Sequence, residues 1–221
     1  MEQLIAEQKA RGLRIDITQV VREFWELILL KGLYDSPYGR DLIFKGGTAL
    51  RLAYGSPRFS EDLDFSLIHD RLKGKFRGWV GKIISPFPEL ALTDLEENRY
   101  TYLAEIKVIQ EFLHFPFRVK VEISRREIQD YQWKLQLLSS SASVVQVLGQ
   151  VGILEQIYQD KVSCLKDRAR PKDLFDLWYI TQKLKIPYTP PPTILKKKDL
   201  VRDLRKYLPK DFWPAVEELL P

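Results

Sequence analysis

A single cysteine and two histidines stand among 221 residues. Cys164 therefore has no partner for an internal disulfide. So few soft ligands also argue against a structural zinc site or a multi-histidine metal centre. No apolar run reaches the roughly 18 residues that a membrane-spanning helix needs. The opening stretch "MEQLIAEQKARG" is polar where a secretory leader would be basic and then apolar. A cytoplasmic location with no membrane partner is expected on that ground. Internal repeats and long low-complexity tracts are also missing.

What is present supports a packed core. Hydrophobic residues make up 45% and charged residues 29% of the chain, the balance of a soluble globular protein. The length suits one large domain or two small ones. A net charge of +5 and a pI of about 9.1 permit an anionic partner such as a nucleotide or RNA without selecting one.

Periodicity orders the chain. Apolar residues at helical spacing predict a helix from Ile17 to Leu33. After the loop "YDSPYGR", a short strand ends at Phe44 or Lys45, meets Gly46-Gly47 and gives way to a helix through "TALRLAY", which Gly55 stops. "DLDFSL", Asp62 to Leu67, alternates as a strand does. A helical stretch is expected over Asp70–Ile84. Strands are expected over Arg99–Ile109 and Phe117–Ser124, forming an antiparallel pair, and over Ser143–Leu148. Helices follow at about 152–167, 171–185, 197–207 and 211–219, with the Pro-rich connector "IPYTPPPTILKKK" between them. Strands thus fill the first two thirds and helices the last. The expected fold is α+β, with an α/β core over residues 1–150 and a helical part over 151–221 completing a cleft.

Two places carry chemistry. Asp62 and Asp64 share one face of their strand, with Cα atoms roughly 6.5–7 Å apart. Leu63, Phe65 and Leu67 point the other way, into a core. Paired carboxylates repel each other, and Mg²⁺ or Mn²⁺ removes that repulsion through hard oxygen ligands. The alternative is a solvated face whose aspartates pair with Arg58 or Lys45. Gly46 and Gly47 let an anion approach the backbone at the start of a helix, where free N–H groups and the dipole favour it. Lys45 adds a charge and Thr48 a hydroxyl. The alternative there is a plain tight turn with Thr48 as the N-cap.

"KGGTALRL…RFSEDLDF" resembles the AbiEii/AbiGii (MenT-like) nucleotidyltransferase toxins of the polymerase-β-like superfamily. Thr48 stands where the wider superfamily usually has Ser. The resemblance runs from about residue 17 to 185 and implies a nucleotidyltransferase-like mixed or antiparallel sheet with flanking helices. It also implies a third metal-binding carboxylate on a later strand. In "FRVKVEIS", similar to the second family motif, Glu122 shares a polar face with Arg118 and Lys120 and fills that role, with Glu105 as its rival.

Lys161 interrupts an apolar helical stripe, as a lysine that snorkels or points into a polar cleft would. "K…R…RPKDLFDLW" resembles the family's late motif. By that resemblance Lys161 contacts substrate phosphate, joined by Ser60 and Arg168. Asp173 is then a base or a holder of Lys161 or Arg168, and Asp176 a structural partner.

The implied reaction is transfer of NMP from an NTP to an acceptor hydroxyl, with tRNA as acceptor in some members and a separately encoded antitoxin as partner. Two other readings remain. One is a non-catalytic nucleotide- or protein-binding module. The other is an aminoglycoside-type enzyme, which would need an acidic acceptor cleft. Lys161, Lys166, Arg168, Arg170 and Lys172 weigh against the latter.

Overall fold

The computed structural model describes residues 1–126, 130–167, 170–190 and 196–219. Two helices open the chain, α1 (Gln3–Leu13) and α2 (Ile17–Tyr34). Asp16 caps α2 by accepting a hydrogen bond from the Thr18 N–H at 2.8 Å. Strand β1 (Leu42–Lys45) leads into α3 (Gly46–Tyr54), which Gly55 closes in the left-handed conformation at φ +76°. Strand β2 (Asp62–Leu67), helix α4 (Phe76–Ile84) and strands β3 (Leu90–Glu97), β4 (Thr101–Val108), β5 (Phe117–Ser124), β6 (Trp133–Leu138) and β7 (Val147–Gly152) follow. Helices α5 (Leu154–Asp167), α6 (Pro171–Leu184) and α7 (Lys197–Leu204) end the regular structure.

The strands form one seven-stranded sheet in the order β3-β4-β5-β2-β1-β7-β6. Strands β2 and β5 run parallel, as do β1 and β7, and the other neighbours are antiparallel. The fold is the expected α+β plan with a mixed sheet. Alternation gives the sheet two unlike faces. Leu63, Phe65, Val119, Val121, Ile123, Tyr102, Ala104 and Ile106 enter the main core beneath α2, α3 and α4. The opposite face carries Asp62, Asp64, Lys120 and Glu122 at its centre, and the exposed Trp133, Leu135, Leu137 and Leu148 towards the β6 edge.

Helices α5 and α6 pack on α3 through Leu50, Ile157 and Ile180. A separate apolar cluster of Leu174, Phe175 and Tyr179 joins α6 to α7 and the C-terminal turns.

Several expectations need correcting. Helix α1 and strands β3 and β6 were not foreseen. The strand expected at Ser143–Leu148 lies instead at Val147–Gly152, and Val144 is almost wholly exposed. The stretch from Asp70 turns, with Gly74 at φ +69°, before α4 begins at Phe76. The last helix is two short 3-10 segments, Lys210–Phe212 and Pro214–Glu218. Pro214 has no N–H to continue a helix from the turn before it. Cys164, with no disulfide partner, is half-buried. Among the described residues no helix is long and apolar enough to cross a membrane.

The two faces of the sheet make a direct prediction. Phe65→Ala should cost about 3–5 kcal/mol in urea unfolding. Leu135→Ala on the open face should stay within about 0.5 kcal/mol. A one-residue register slip would reverse that order.

Candidate active site

The open face is organised in two rows across the strands. One row sets Lys45, Asp64 and Glu122 side by side, and the next sets Asp62, Lys120 and Glu105 side by side. Both aspartates are half-buried, and among the described residues neither carboxylate has a hydrogen-bond or ion-pair partner. Burial raises the Asp64 pKa to about 6, helped by the charges of Asp62 and Glu122 and opposed by Lys161 and Lys45. Burial raises Asp62 too, with Lys120 and Lys172 pulling it down and Glu61 and Glu122 pushing it up.

This pair fits a hard divalent cation that draws the rest of its shell from water and phosphate. The expected three-carboxylate cluster is not assembled. Among the described residues no three His, Cys, Asp or Glu side chains gather closely enough to hold a metal. Glu122 instead pairs with Lys120 Nζ at 2.6 Å, although its charge still bears on both aspartates. Glu105 leans towards Arg118 at 3.4 Å.

The Gly-Gly start of α3 has a packing reason that the sequence did not disclose. A methyl group on Gly46, which sits at φ +78°, would lie 2.2 Å from Asp64 Oδ2. One on Gly47 would lie 2.2 Å from Arg58 Nη2 and 2.9 Å from Ser60 Oγ. The two glycines therefore let the Asp64 carboxylate, the Arg58 guanidinium and the Ser60 hydroxyl close on the first turn of α3. That turn still presents its leading N–H groups to the same region. Thr48 is neither an N-cap nor a surface hydroxyl. It is buried, and its Oγ1 donates to the Asp62 carbonyl at 2.6 Å, so it pins β2 against α3. Lys45 Nζ lies 5.9 Å from the centre of the Tyr131 ring.

Behind the turn lies a buried ion network. Arg58 Nε and Nη2 donate to the two oxygens of Asp176 at 2.7 and 2.8 Å. Lys161 Nζ joins Asp176 Oδ2 at 2.7 Å and Asp173 Oδ1 at 2.8 Å. Burial alone would raise the Asp176 pKa, but Arg58 and Lys161 outweigh it and hold Asp176 ionised. Burial would likewise lower Lys161, and Asp176 and Asp173 reverse this and raise its pKa. Lys161 is thus held by both late-motif aspartates, and Asp173 Oδ2 is buried with no partner among the described residues. Arg168 lies outside the described residues.

Sequence reasoning missed three contributors. Arg58 was offered only as a partner for Asp62 or Asp64. Glu61 accepts from Arg22 at 2.9 Å, Lys172 at 2.5 Å and the Tyr207 hydroxyl at 2.7 Å, tying α2, α6 and the C-terminal segment to the start of β2. Lys120 stands beside Asp62. Its place next to Glu122 on the polar face of β5 was the available signal. A cleft of about 660 Å³ opens beside Asp62, with Arg22, Lys107, Arg118 and Lys120 set against Glu61, Asp62 and Glu105.

Two predictions follow from these charges. Asp176→Ala leaves Arg58 buried without compensation and Lys161 with Asp173 alone, and should cost about 3–5 kcal/mol. Asp35→Ala, which breaks only an exposed pair with Lys31, should cost under about 0.5 kcal/mol; urea titration compares the two. Asp64 acts in the opposite sense. Its folded pKa of about 6 exceeds the ordinary 3.8, so the folded state holds the proton more tightly. Stability then falls as pH rises through that interval, and the cost is complete above it. Asp64→Asn should stabilise the metal-free protein by about 1–3 kcal/mol at about pH 8 and by nothing below about pH 4. Thermal melts across pH measure this.

A sequence model described as "Nucleotidyl transferase AbiEii toxin, Type IV TA system" matches residues 28–212. Among solved structures, JHP933 from Helicobacter pylori aligns over 93% of this chain and 78% of its own, at 22% identity and a TM-score of 0.56. MenT4, a nucleotidyltransferase toxin from Mycobacterium tuberculosis, aligns over 91% of this chain and 68% of its own, at 16% identity and a TM-score of 0.61. At such identities the two structures speak for the fold alone. No curated protein sequence matches the chain at a meaningful level. The family match spans well over half of the residues, so the chain belongs to the AbiEii nucleotidyltransferase toxin family of type IV toxin–antitoxin systems and is a nucleotidyltransferase.

Proposed function

We propose that the protein transfers NMP from an NTP to the terminal hydroxyl of an RNA acceptor, in a reaction that depends on Mg²⁺ or Mn²⁺. The observation that carries this reading is the unpartnered pair Asp62 and Asp64, held at the first turn of α3 on the open face of the sheet. Asp62 and Asp64 would hold the cation. When bound, the cation supplies charge neutralisation for the phosphates and the departing oxygen.

The chain's own groups do the rest. N–H groups at the start of α3, with Lys45 and Ser60, receive the triphosphate. Lys161, fixed by Asp173 and Asp176, sets a positive charge beside Asp64 and steadies charge that builds on pyrophosphate. The acceptor oxygen bonds to the α-phosphorus as the bond to pyrophosphate breaks. The acceptor proton goes to a carboxylate of the open face. Glu122, on that face and more exposed than Asp173, is better placed to take it. In the cleft beside Asp62, Arg22, Arg118 and Lys120 are paired with Glu61, Glu105 and Glu122, so it lacks the acidic excess that a cationic small molecule would need. The family also implies a separately encoded antitoxin as counterpart.

The test offers each of the four α-³²P-labelled NTPs with total RNA and Mg²⁺. Label is expected in a tRNA-sized band and should fall about a hundredfold or more with Asp64→Ala. A chelator should abolish it. Label on protein, or equal label from the variant, would overturn the reading.

A further inference from the structure

Positive charge also gathers away from the carboxylates. Where the end of α1 meets the turns after α7, Arg11, Arg14, Arg205, Lys206 and Lys210 line an open cavity of about 540 Å³ together with Trp213. Two acids lie nearby, and both are engaged. Asp16 caps α2, and Asp211 pairs with Arg14. Among the described residues Arg11, Arg205, Lys206 and Lys210 make no ion pair, and all four are exposed.

The cavity is built by structure from both ends of the chain. Arg14 turns at φ +53°, and its carbonyl accepts the Lys210 N–H at 3.2 Å. Trp213 Nε1 donates to the Leu208 carbonyl at 3.1 Å, and the Arg205 guanidinium lies 4.5 Å from the centre of the indole. Of its apolar members Ala10 and Leu208 are buried and Ile15 and Trp213 half-buried, so the exposed side chains that line it, Asp16 apart, are cationic. A protein partner would need an apolar centre. A nucleic-acid backbone needs only fixed cations and planar guanidinium groups.

The cavity also adjoins the reaction centre along the chain. Arg205 and Lys206 run into Tyr207. The Tyr207 carbonyl accepts the Phe59 N–H at 2.8 Å, and its hydroxyl donates to Glu61 at 2.7 Å, one residue before Asp62.

We propose that this cavity docks the phosphodiester backbone of an RNA, holding the body of the molecule while an end reaches the carboxylates. The choice of RNA among polyanions rests on the acceptor reading above.

The test uses the full chain and a fluorescein-labelled RNA hairpin. The triple variant Arg11→Ala, Lys206→Ala, Lys210→Ala should bind the hairpin about tenfold or more weakly, and the slope of log affinity against log salt should fall by about 2–3. NTP binding and melting temperature should not change. Lys206→Glu alone should weaken binding in the same direction, which guards against a folding defect in the triple variant. Unchanged affinity and slope in both variants, no hairpin binding by the wild type, or competition by polyglutamate as effective as by RNA would overturn the proposal. Hairpin bound through these residues but never labelled by NTP would leave the docking site standing and sink the acceptor reading instead.

Discussion

The Asp176 carboxylate, buried between Arg58 and Lys161, is the interaction on which the site depends. Its three members come from the loop before β2, from α5 and from α6. No other ion pair among the described residues joins the strand half of the molecule to the helical half with both partners so fully enclosed. A buried charge without compensation is costly, so the two halves are held in one arrangement. The Arg58 guanidinium reaches Asp176 by lying against Gly47. The first turn of α3 is thereby locked to the same network that orients Lys161.

The open face shows the opposite balance. Asp62 and Asp64 are set close together, part-buried and without partners, and both have raised pKa values. Strand alternation makes this possible. The same residues of β2 that put Leu63 and Phe65 into the main core present the aspartates rigidly on the other side. Stability is given up locally and recovered in the core and the ion network, a division common at functional sites. Glu122 adds to the repulsion, and its ion pair with Lys120 offsets part of it.

Much of the fold could be read from the sequence because core and pattern agreed. Ile17–Leu33, Asp62–Leu67 and Phe117–Ser124 show apolar residues at the spacing of the element they form, and each lies where it was expected. The omissions have physical causes. Strand β3 is an edge strand rich in charge, and its register shifts between Leu92 and Asp94, which breaks the alternation. Strand β6 points Trp133, Leu135 and Leu137 outward, so its apolar residues do not mark a core. In β7, Gly149 and Gly152 weaken the strand signal. Gly149 is there because a side chain would meet the Tyr34 ring at 2.6 Å. Helix α1 buries only Ala6 and Ala10, a stripe too small to stand out.

The sequence by itself carried the motifs that resemble the family, and local spacing determined the α+β order of elements and set Asp62 with Asp64, and Lys120 with Glu122, on the polar face of each strand; the pairing of β2 with β5 joined the two faces. Tertiary structure alone decided how distant residues divide the charges. It gave Arg58 to Asp176 rather than to the aspartates of β2. It turned Thr48 inward to the Asp62 carbonyl, and it made the two glycines a matter of room for Asp64 and Arg58. It also brought Arg11 and Arg14 against Lys206 and Lys210, from opposite ends of the chain. Spacing along a strand fixes which way a side chain points. Which opposite charge it meets depends on contacts across more than a hundred residues, and no local pattern encodes them.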